Sequence, residues 1–206
     1  MKINFFKIGI VFLCIVSIII CTMNERKIYF AGGCFWGTEA FLKNIRGVIE
    51  TEVGYANGKT ANPSYEEVCY DNTGHAETVY VKYDSDLLPL EKLIDIFFQA
   101  IDPTSVNRQG NDYGNQYRSG IYFSDPNDEK IILKEIERLQ KNYPQKIAVE
   151  IKALSNFYLA EAYHQDYLDK NKNGYCHIPK KLFDYAKKAN NTEKDALLKL
   201  SDEGHT

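Results

Sequence analysis

Segments of strand period and helix period follow one another in this chain without regular alternation, and that order narrows the fold more than any other feature. "KIYFAGG" (27–33) reads as a short strand ending in a glycine turn, and "FWGTEAFLKNI" (35–45) carries Phe35, Ala40, Phe41 and Ile45 at helical spacing. "GVIETEVGYANG" (47–58) is strand-like and closes on the turn-prone pair Asn57–Gly58. In "HAETVYVKYD" (75–84), Ala76, Thr78, Tyr80 and Lys82 oppose Glu77, Val79, Val81 and Tyr83. Helical spacing returns in "PLEKLIDIFFQAI" (89–101). The next 19 residues, Asp102 to Gly120, show no period, and a stretch of that length inside a compact domain is disordered or functional. After it come a strand "IYFS", a helix opening with Pro126, a strand "KIAVEIKAL" and a short helix in "YLAEAYHQDYLDKN". There are no internal repeats. This order fits a two-layer α+β domain with a mixed sheet better than a doubly wound one.

The first residues differ in kind. Lys2 and Lys7 precede Ile8–Cys21, 14 residues without a charge. A spanning helix needs about 20, so the run fits the apolar core of a signal peptide. It resembles a bacterial lipoprotein signal with Cys21 as the lipidated residue; an uncleaved anchor, plain secretion and an apolar N-terminus of a soluble, cytoplasmic protein are the other outcomes. The protein is therefore expected outside the cytoplasm, attached to the bacterial membrane, periplasmic or secreted. The organisation expected is a leader over 1–25, one folded domain over 26–185, and a charged, flexible tail over 186–206. The 206 residues suffice for one real core, and a net charge of −3 without a basic stripe speaks against a nucleic-acid partner.

Outside the leader three cysteines remain: Cys34, Cys69 and Cys176. Three cannot form a paired disulfide framework, and none stand as CxxC, which argues against zinc ligation and a thioredoxin-type site. Cys34 opens a helix, where free backbone N–H groups stabilise an anion, so a lowered pKa is expected; simple burial is the alternative. Glu77 shares a strand face with Val79 and Val81, the dry one, where a carboxyl tends to stay protonated and can donate a proton. A solvated strand start is the other reading of Glu77. His75 could serve Cys34 as a base or only bond within its turn, and His164 reads as a packed residue. Asp112, Tyr65, Tyr113 and Tyr117 lie in polar, turn-rich stretches that suit a ligand or a satisfied backbone equally. Cys176 follows "NKNG" in a segment expected to be mobile, so it could approach a distant sulfur transiently. The strand-like context of Cys69 predicts burial. On these grounds a Cys–His hydrolase and a non-catalytic peptide binder remain open beside thiol redox chemistry.

Taken together, "GGCFWGTEAF", "GYANG", "NPSYEEVC", "TGHAETV", "DPTSVNRQGNDYGNQYRS" and "AEAYHQDYLDKNKNGYC" resemble the A-type peptide methionine sulfoxide reductases from about Lys27 to Cys176. The resemblance implies a two-layer α/β sandwich, a ferredoxin-like plait with a mixed sheet and long coil segments. It implies Cys34 as the nucleophile on the sulfoxide sulfur, and Phe35 and Trp36 as an apolar cage for the S-methyl group. Glu77 is then the acid for the sulfoxide oxygen, with Tyr65 and Tyr117 assisting and Asp112 as polar support. Cys176 becomes the thiol that condenses with a Cys34 sulfenic acid. The implied substrate is methionine (S)-sulfoxide, free or in oxidised proteins, and the implied reductant is thioredoxin-like. No metal or organic cofactor is expected, and the chain is expected to act as a monomer. Some relatives carry a further cysteine beyond the "GYC" position; this chain has none there, so the donor is expected to reduce Cys34–Cys176 directly.

Overall fold

The computed structural model describes residues 24–190. In chain order the elements are β1 (Glu25–Gly32), α1 (Phe35–Leu42), β2 (Val48–Ala56), α2 (Tyr65–Tyr70), β3 (Ala76–Asp84) and α3 (Leu90–Phe98). A two-residue ladder, β4 (Arg108–Gln109) with β5 (Asp112–Tyr113), and a 3-10 turn (Asn115–Tyr117) precede β6 (Ser119–Phe123). Then follow α4 (Pro126–Gln140), β7 (Glu150–Ala153), β8 (Phe157–Leu159), α5 (Tyr167–Lys170) and α6 (Lys180–Ala189).

Six strands form one sheet in the order β7-β6-β1-β3-β2-β8. Only β6–β7 is parallel among these pairings, so the sheet is mixed as the segment order implies. Period two along β1 sends Ile28 and Phe30 to one face and Tyr29 and Ala31 to the other. The first face carries the main core, where Phe30, Val53, Val79, Val81 and Ile121 meet Phe41 and Leu42 of α1, Leu93 and Phe97 of α3 and Ile132 of α4. Each such side chain contributes roughly 1.5–3 kcal/mol through its removal from water. Tyr29, Ala31, Ala56, Ala76 and Tyr122 make a smaller cluster on the reverse face. The result is the two-layer α/β sandwich.

Several local expectations need correction. "NPSYEEVC" is helical, because Ser64 and Glu67 form a reciprocal capping box at the start of α2. Cys69 is therefore a half-buried helix residue and not a buried strand residue. The expected helix in "YLAEAYHQDYLDKN" is mostly edge strand and turns; only Tyr167–Lys170 is helical, after Asp166 takes a left-handed φ of 52°. The strand in "KIAVEIKAL" shrinks to Glu150–Ala153, with Ile147 and Val149 buried ahead of it. At the other end α6 passes residue 185: Ala186 is fully buried, and Asn190 donates to the carbonyls of Arg46 and Leu87 at 2.7 and 3.0 Å. The stretch from Asp102 to Gly120 is ordered by Gln109, whose amide pairs with both backbone groups of Asp102 at 2.7 and 2.8 Å and donates to Ser119 Oγ at 2.9 Å. A side-chain amide there copies a strand partner.

Candidate active site

The site begins where β1 stops. Gly33 has φ +82°, which favours glycine, and a Cβ there would lie 2.6 Å from Gln109 Cβ. The turn delivers Cys34 as the N-cap of α1, with the Thr38 hydroxyl donating to the carbonyls of Gly32 and Cys34 at 3.0 and 3.2 Å. The Cys34 side chain makes no cap bond, so the first N–H groups of α1 are left for other partners. The Phe35 N–H donates to Glu77 Oε2 at 2.9 Å. Those of Trp36 and Gly37 face the Cys34 sulfur.

Glu77 stands opposite Tyr55 in the β2–β3 register and is 1% exposed. It lies on the main-core side of β3, as its alternation with Val79 and Val81 implies. Burial pushes its pKa up to about 8, the Phe35 N–H pulls it back, and Asp112 pushes it further up. At neutral pH the carboxyl therefore keeps its proton. Cys34 does not show the expected lowering. Burial pushes its thiol upward, a charged Glu77 adds to this, and the N–H groups of Trp36 and Gly37 oppose it without winning. The helix terminus acts in the expected direction, but desolvation of a residue 7% exposed is larger. While Glu77 is neutral, its contribution disappears.

Two phenols complete this end. Tyr65 is the first residue of α2 and Tyr117 the last of the 3-10 turn; burial and then Glu77 push both hydroxyls upward, so both remain donors. Tyr113, by contrast, is exposed beneath the Arg108 guanidinium. Phe35 is buried, and Trp36 is partly buried. The indole stacks on Tyr167 with centroids 3.7 Å apart and donates from Nε1 to His164 Nδ1 at 3.0 Å. His164, also ringed by Phe35, Tyr65 and Tyr163, is thus a packed acceptor that fixes the indole. Tyr167 and Glu161 escaped the sequence reading. Glu161 accepts from the Tyr55 hydroxyl at 2.8 Å and the Tyr65 N–H at 2.9 Å, tying β2 to α2; their signal lay within "AEAYHQDYL".

Asp112 on β5 accepts from the Tyr175 hydroxyl at 3.0 Å. Cys176 comes next, half-buried, its thiol donating to the Ile178 carbonyl at 3.4 Å. Its sulfur lies 3.1 Å from the point a Cβ on Gly37 would occupy, over the turn that Cys34 caps. Cys34 and Cys176 are both free thiols. His75 points elsewhere, with Nε2 2.9 Å from the Thr60 carbonyl and its ring packed over Gly58. Among the described residues no group of three or more His, Cys, Asp or Glu is arranged to hold a metal ion.

A glycine-turned cysteine, a neutral buried carboxyl, two phenols and a second thiol thus meet at one helix end. The sequence model described as peptide methionine sulfoxide reductase matches residues 26–196. The chain belongs to this family. It is 58% identical over 165 residues to a peptide methionine sulfoxide reductase MsrA of Lachnoclostridium phytofermentans, covering 80% of this chain and 99% of that one. The MsrA of Clostridium acetobutylicum is 58% identical over 157 residues, with 76% and 97% covered. The reduced form of Mxr1 from Saccharomyces cerevisiae superposes with a TM-score of 0.72 at 41% identity, covering 75% of this chain and 91% of that one. Mxr1 has also been solved in complex with Trx2, a match of TM-score 0.50 at 31% identity. Membership makes the protein a thiol-based oxidoreductase that reduces methionine sulfoxide, and the hydrolase and binder readings fall. The expectation of an extracytoplasmic, membrane-held or secreted protein also falls. The two MsrA relatives are covered over 97–99% of their length and leave no room for a leader of this kind. Among the described residues no helix is long and apolar enough to cross a membrane, and the leader itself lies outside them.

Proposed function

We propose that Cys34 attacks the sulfoxide sulfur of peptidyl or free methionine (S)-sulfoxide while Glu77 protonates the sulfoxide oxygen, with Tyr65 and Tyr117 donating beside it. One observation carries this assignment: the 2.9 Å bond from Phe35 N to Glu77 Oε2 ties a buried, neutral acid to the turn that presents the nucleophile. Sulfoxide oxygen leaves poorly unless protonated, so a neutral carboxyl is the companion the step requires. Phe35 and Trp36 hold the S-methyl group, and Asp112 supports the polar side of the pocket. Attack joins the Cys34 sulfur to the substrate sulfur, where the protonated oxygen stays as a hydroxyl, and the Cys34 thiol proton replaces the one Glu77 gave up. That hydroxyl then passes to the Cys34 sulfur as the S–S bond breaks, leaving a Cys34 sulfenic acid and methionine. Cys176 then condenses with that acid, giving water and the Cys34–Cys176 disulfide.

A thioredoxin-like donor reduces this disulfide directly, since none of residues 177–206 is a cysteine. The Mxr1–Trx2 complex supports a donor of that class. The reductase domain begins at Arg26 and extends at least to Tyr185. The test uses a dithiol and the two sulfoxide epimers of a blocked methionine. The S epimer should yield methionine, the R epimer scarcely any, and Cys34→Ser none with either. Equal rates on both epimers, or methionine formation by Cys34→Ser, would overturn the assignment.

A further inference from the structure

His177 directly follows Cys176, and none of the steps above uses it. Its side chain is 3% exposed, and its Nε2 lies 3.0 Å from the Gly32 carbonyl. A carbonyl oxygen only accepts, so Nε2 carries the hydrogen, and the neutral ring has its lone pair on Nδ1. That Nδ1 is buried without a hydrogen-bond partner. Asp112 Oδ2 is 4.0 Å away, beyond hydrogen-bond reach, and already accepts from Tyr175. An unmade bond of this kind is destabilising, yet here it leaves a free acceptor beside a thiol that must react.

Gly37 locates the two groups. A Cβ on Gly37 would meet Cys176 Sγ and His177 Nδ1, each at 3.1 Å. Both atoms therefore occupy the space that this glycine leaves open on the first turn of α1, no further apart than those two distances added. Cys34 caps the same turn.

We propose that His177 Nδ1 accepts the Cys176 proton as the Cys176 sulfur attacks the sulfenic sulfur of Cys34. The Cys176 S–H and Cys34 S–O bonds break, and one S–S bond forms. The proton passes from Nδ1 to the departing hydroxide, giving water; Cys34 sulfur is reduced, Cys176 sulfur is oxidised, and no outside reagent enters. A base is needed because burial pushes the Cys176 thiol up, and the Ile178 carbonyl that now receives its hydrogen cannot take a proton. Burial keeps His177 below its ordinary value, against the pull of Asp112 and the Gly32 carbonyl, so the ring is a neutral base at pH 7. Asp112, from β5, then steadies the imidazolium. Cys176 and the Asp112-bound Tyr175 are the titratable groups beside it on its own segment, while β1, the turn after it and α1 present Gly32, Gly33 and Gly37 to the ring.

The inference rests on the roles proposed for Cys34 and Cys176. The test uses the full chain, one equivalent of blocked methionine (S)-sulfoxide, rapid quenching with an alkylating reagent, and intact mass to count free thiols. His177→Gln keeps an N–H for the Gly32 carbonyl but has no nitrogen that titrates. Its methionine burst should match wild type, while disulfide formation slows by about 10²-fold at pH 7 and rises steadily with pH toward the thiol range. In wild type that rate should fall as pH drops through the imidazole range and level off above it. A His177→Gln protein with a full burst and a wild-type rate and profile of disulfide formation would overturn the proposal. So would a wild-type profile without an inflection in the imidazole range, whatever the variant does. No disulfide between Cys34 and Cys176 in wild type would instead overturn the proposed function, and this inference with it.

Discussion

The two sulfurs of this site are held in opposite ways. Cys34 is set by regular structure: a strand end, a glycine turn and a helix start, with Phe35 and Glu77 each 1% exposed beside it. Cys176 lies in residues 171–179, which contain no helix or strand and are pinned at a few points. Tyr175 bonds to Asp112, His177 to the Gly32 carbonyl, and Ile178 enters the core at 3% exposure. The step that protonates the substrate needs a dry, fixed environment, because only there does a carboxyl keep its proton at neutral pH. Disulfide formation needs one sulfur to travel, and coil tied by separable contacts permits this at low cost. Regular structure and irregular coil thus meet at the first turn of α1.

Glu77→Gln should break the fixed side most severely. The amide oxygen still accepts from Phe35 N, but the proton donor is gone, so the single-turnover chemical step should fall roughly 10²- to 10⁴-fold while substrate binding changes much less. Stopped-flow methionine formation at the wild-type rate in the folded variant would remove Glu77 from the mechanism. The same substitution reads the dryness of the pocket through stability. In the fold Glu77 keeps its proton up to about pH 8, whereas an unfolded glutamate releases it near 4.5. The native state therefore binds more protons between those values, and its stability falls as pH rises through that window. Glutamine cannot ionise. Denaturant titrations should show the variant gaining on wild type from pH 5 to pH 9, and a pH-independent difference would mean that Glu77 is ionised in the fold.

On the coil side, Cys176→Ser should permit about one methionine per enzyme and then stop when a thioredoxin is the reductant. Cys69→Ser should turn over, because Cys69 belongs to α2 beside Tyr65 and has no part in the proposed exchange. Burst size with thiol titration separates the cases. Sustained thioredoxin-driven turnover without Cys176 would show that a third thiol or direct reduction of the sulfenic acid does its work.

The two sides were not equally legible in the amino-acid sequence. Alternation in β3 placed Glu77 with Val79 and Val81 on the core face, and the glycine pair before "CFWG" marked Cys34 as a helix start; both are local signals, and both hold. The direction of the Cys34 shift is not legible in the sequence, because helix-end N–H groups are visible there and the depth of burial above them is not. Ser64 and Glu67 carried a readable capping signal for α2 that strand-like neighbours obscured. Residues 157–170 were the hardest. Their fold depends on distant partners, with Gln165 bonding both backbone groups of Val53 at 2.9 Å and Asp166 N–H donating to buried Glu39 Oε2 at 3.0 Å. Nothing within the segment announces Val53 or Glu39. His177 belongs to the same class, since its value as a base depends on Gly32 and Gly37, far away along the chain.

The smallest effect expected comes from Lys43→Met, which probes how loosely the segment leading to Cys176 is tied. Lys43 Nζ pairs at 2.5 Å with Oδ1 of Asp166, the left-handed N-cap of α5, and at 2.6 Å with Oδ2 of Asp169 within it. Both pairs are partly exposed, with the carboxylates 48% and 54% open to solvent, and pairs of this kind contribute about 0–1 kcal/mol. Methionine keeps much of the apolar stem, so global stability should change by less than about 1 kcal/mol. The contacts of Gln165 with Val53 and of Asp166 N with Glu39 remain, and they should hold the segment in place on average. Its opening should nevertheless become more frequent. The amides of Asp169, Lys170 and Asn171, which close the single turn of α5, should exchange hydrogen faster, while those of α1 beyond Cys34 stay at wild-type rates. Equal acceleration in both regions would mean that the two sides form one cooperative unit, and the contrast between a fixed nucleophile and a tethered partner would not hold.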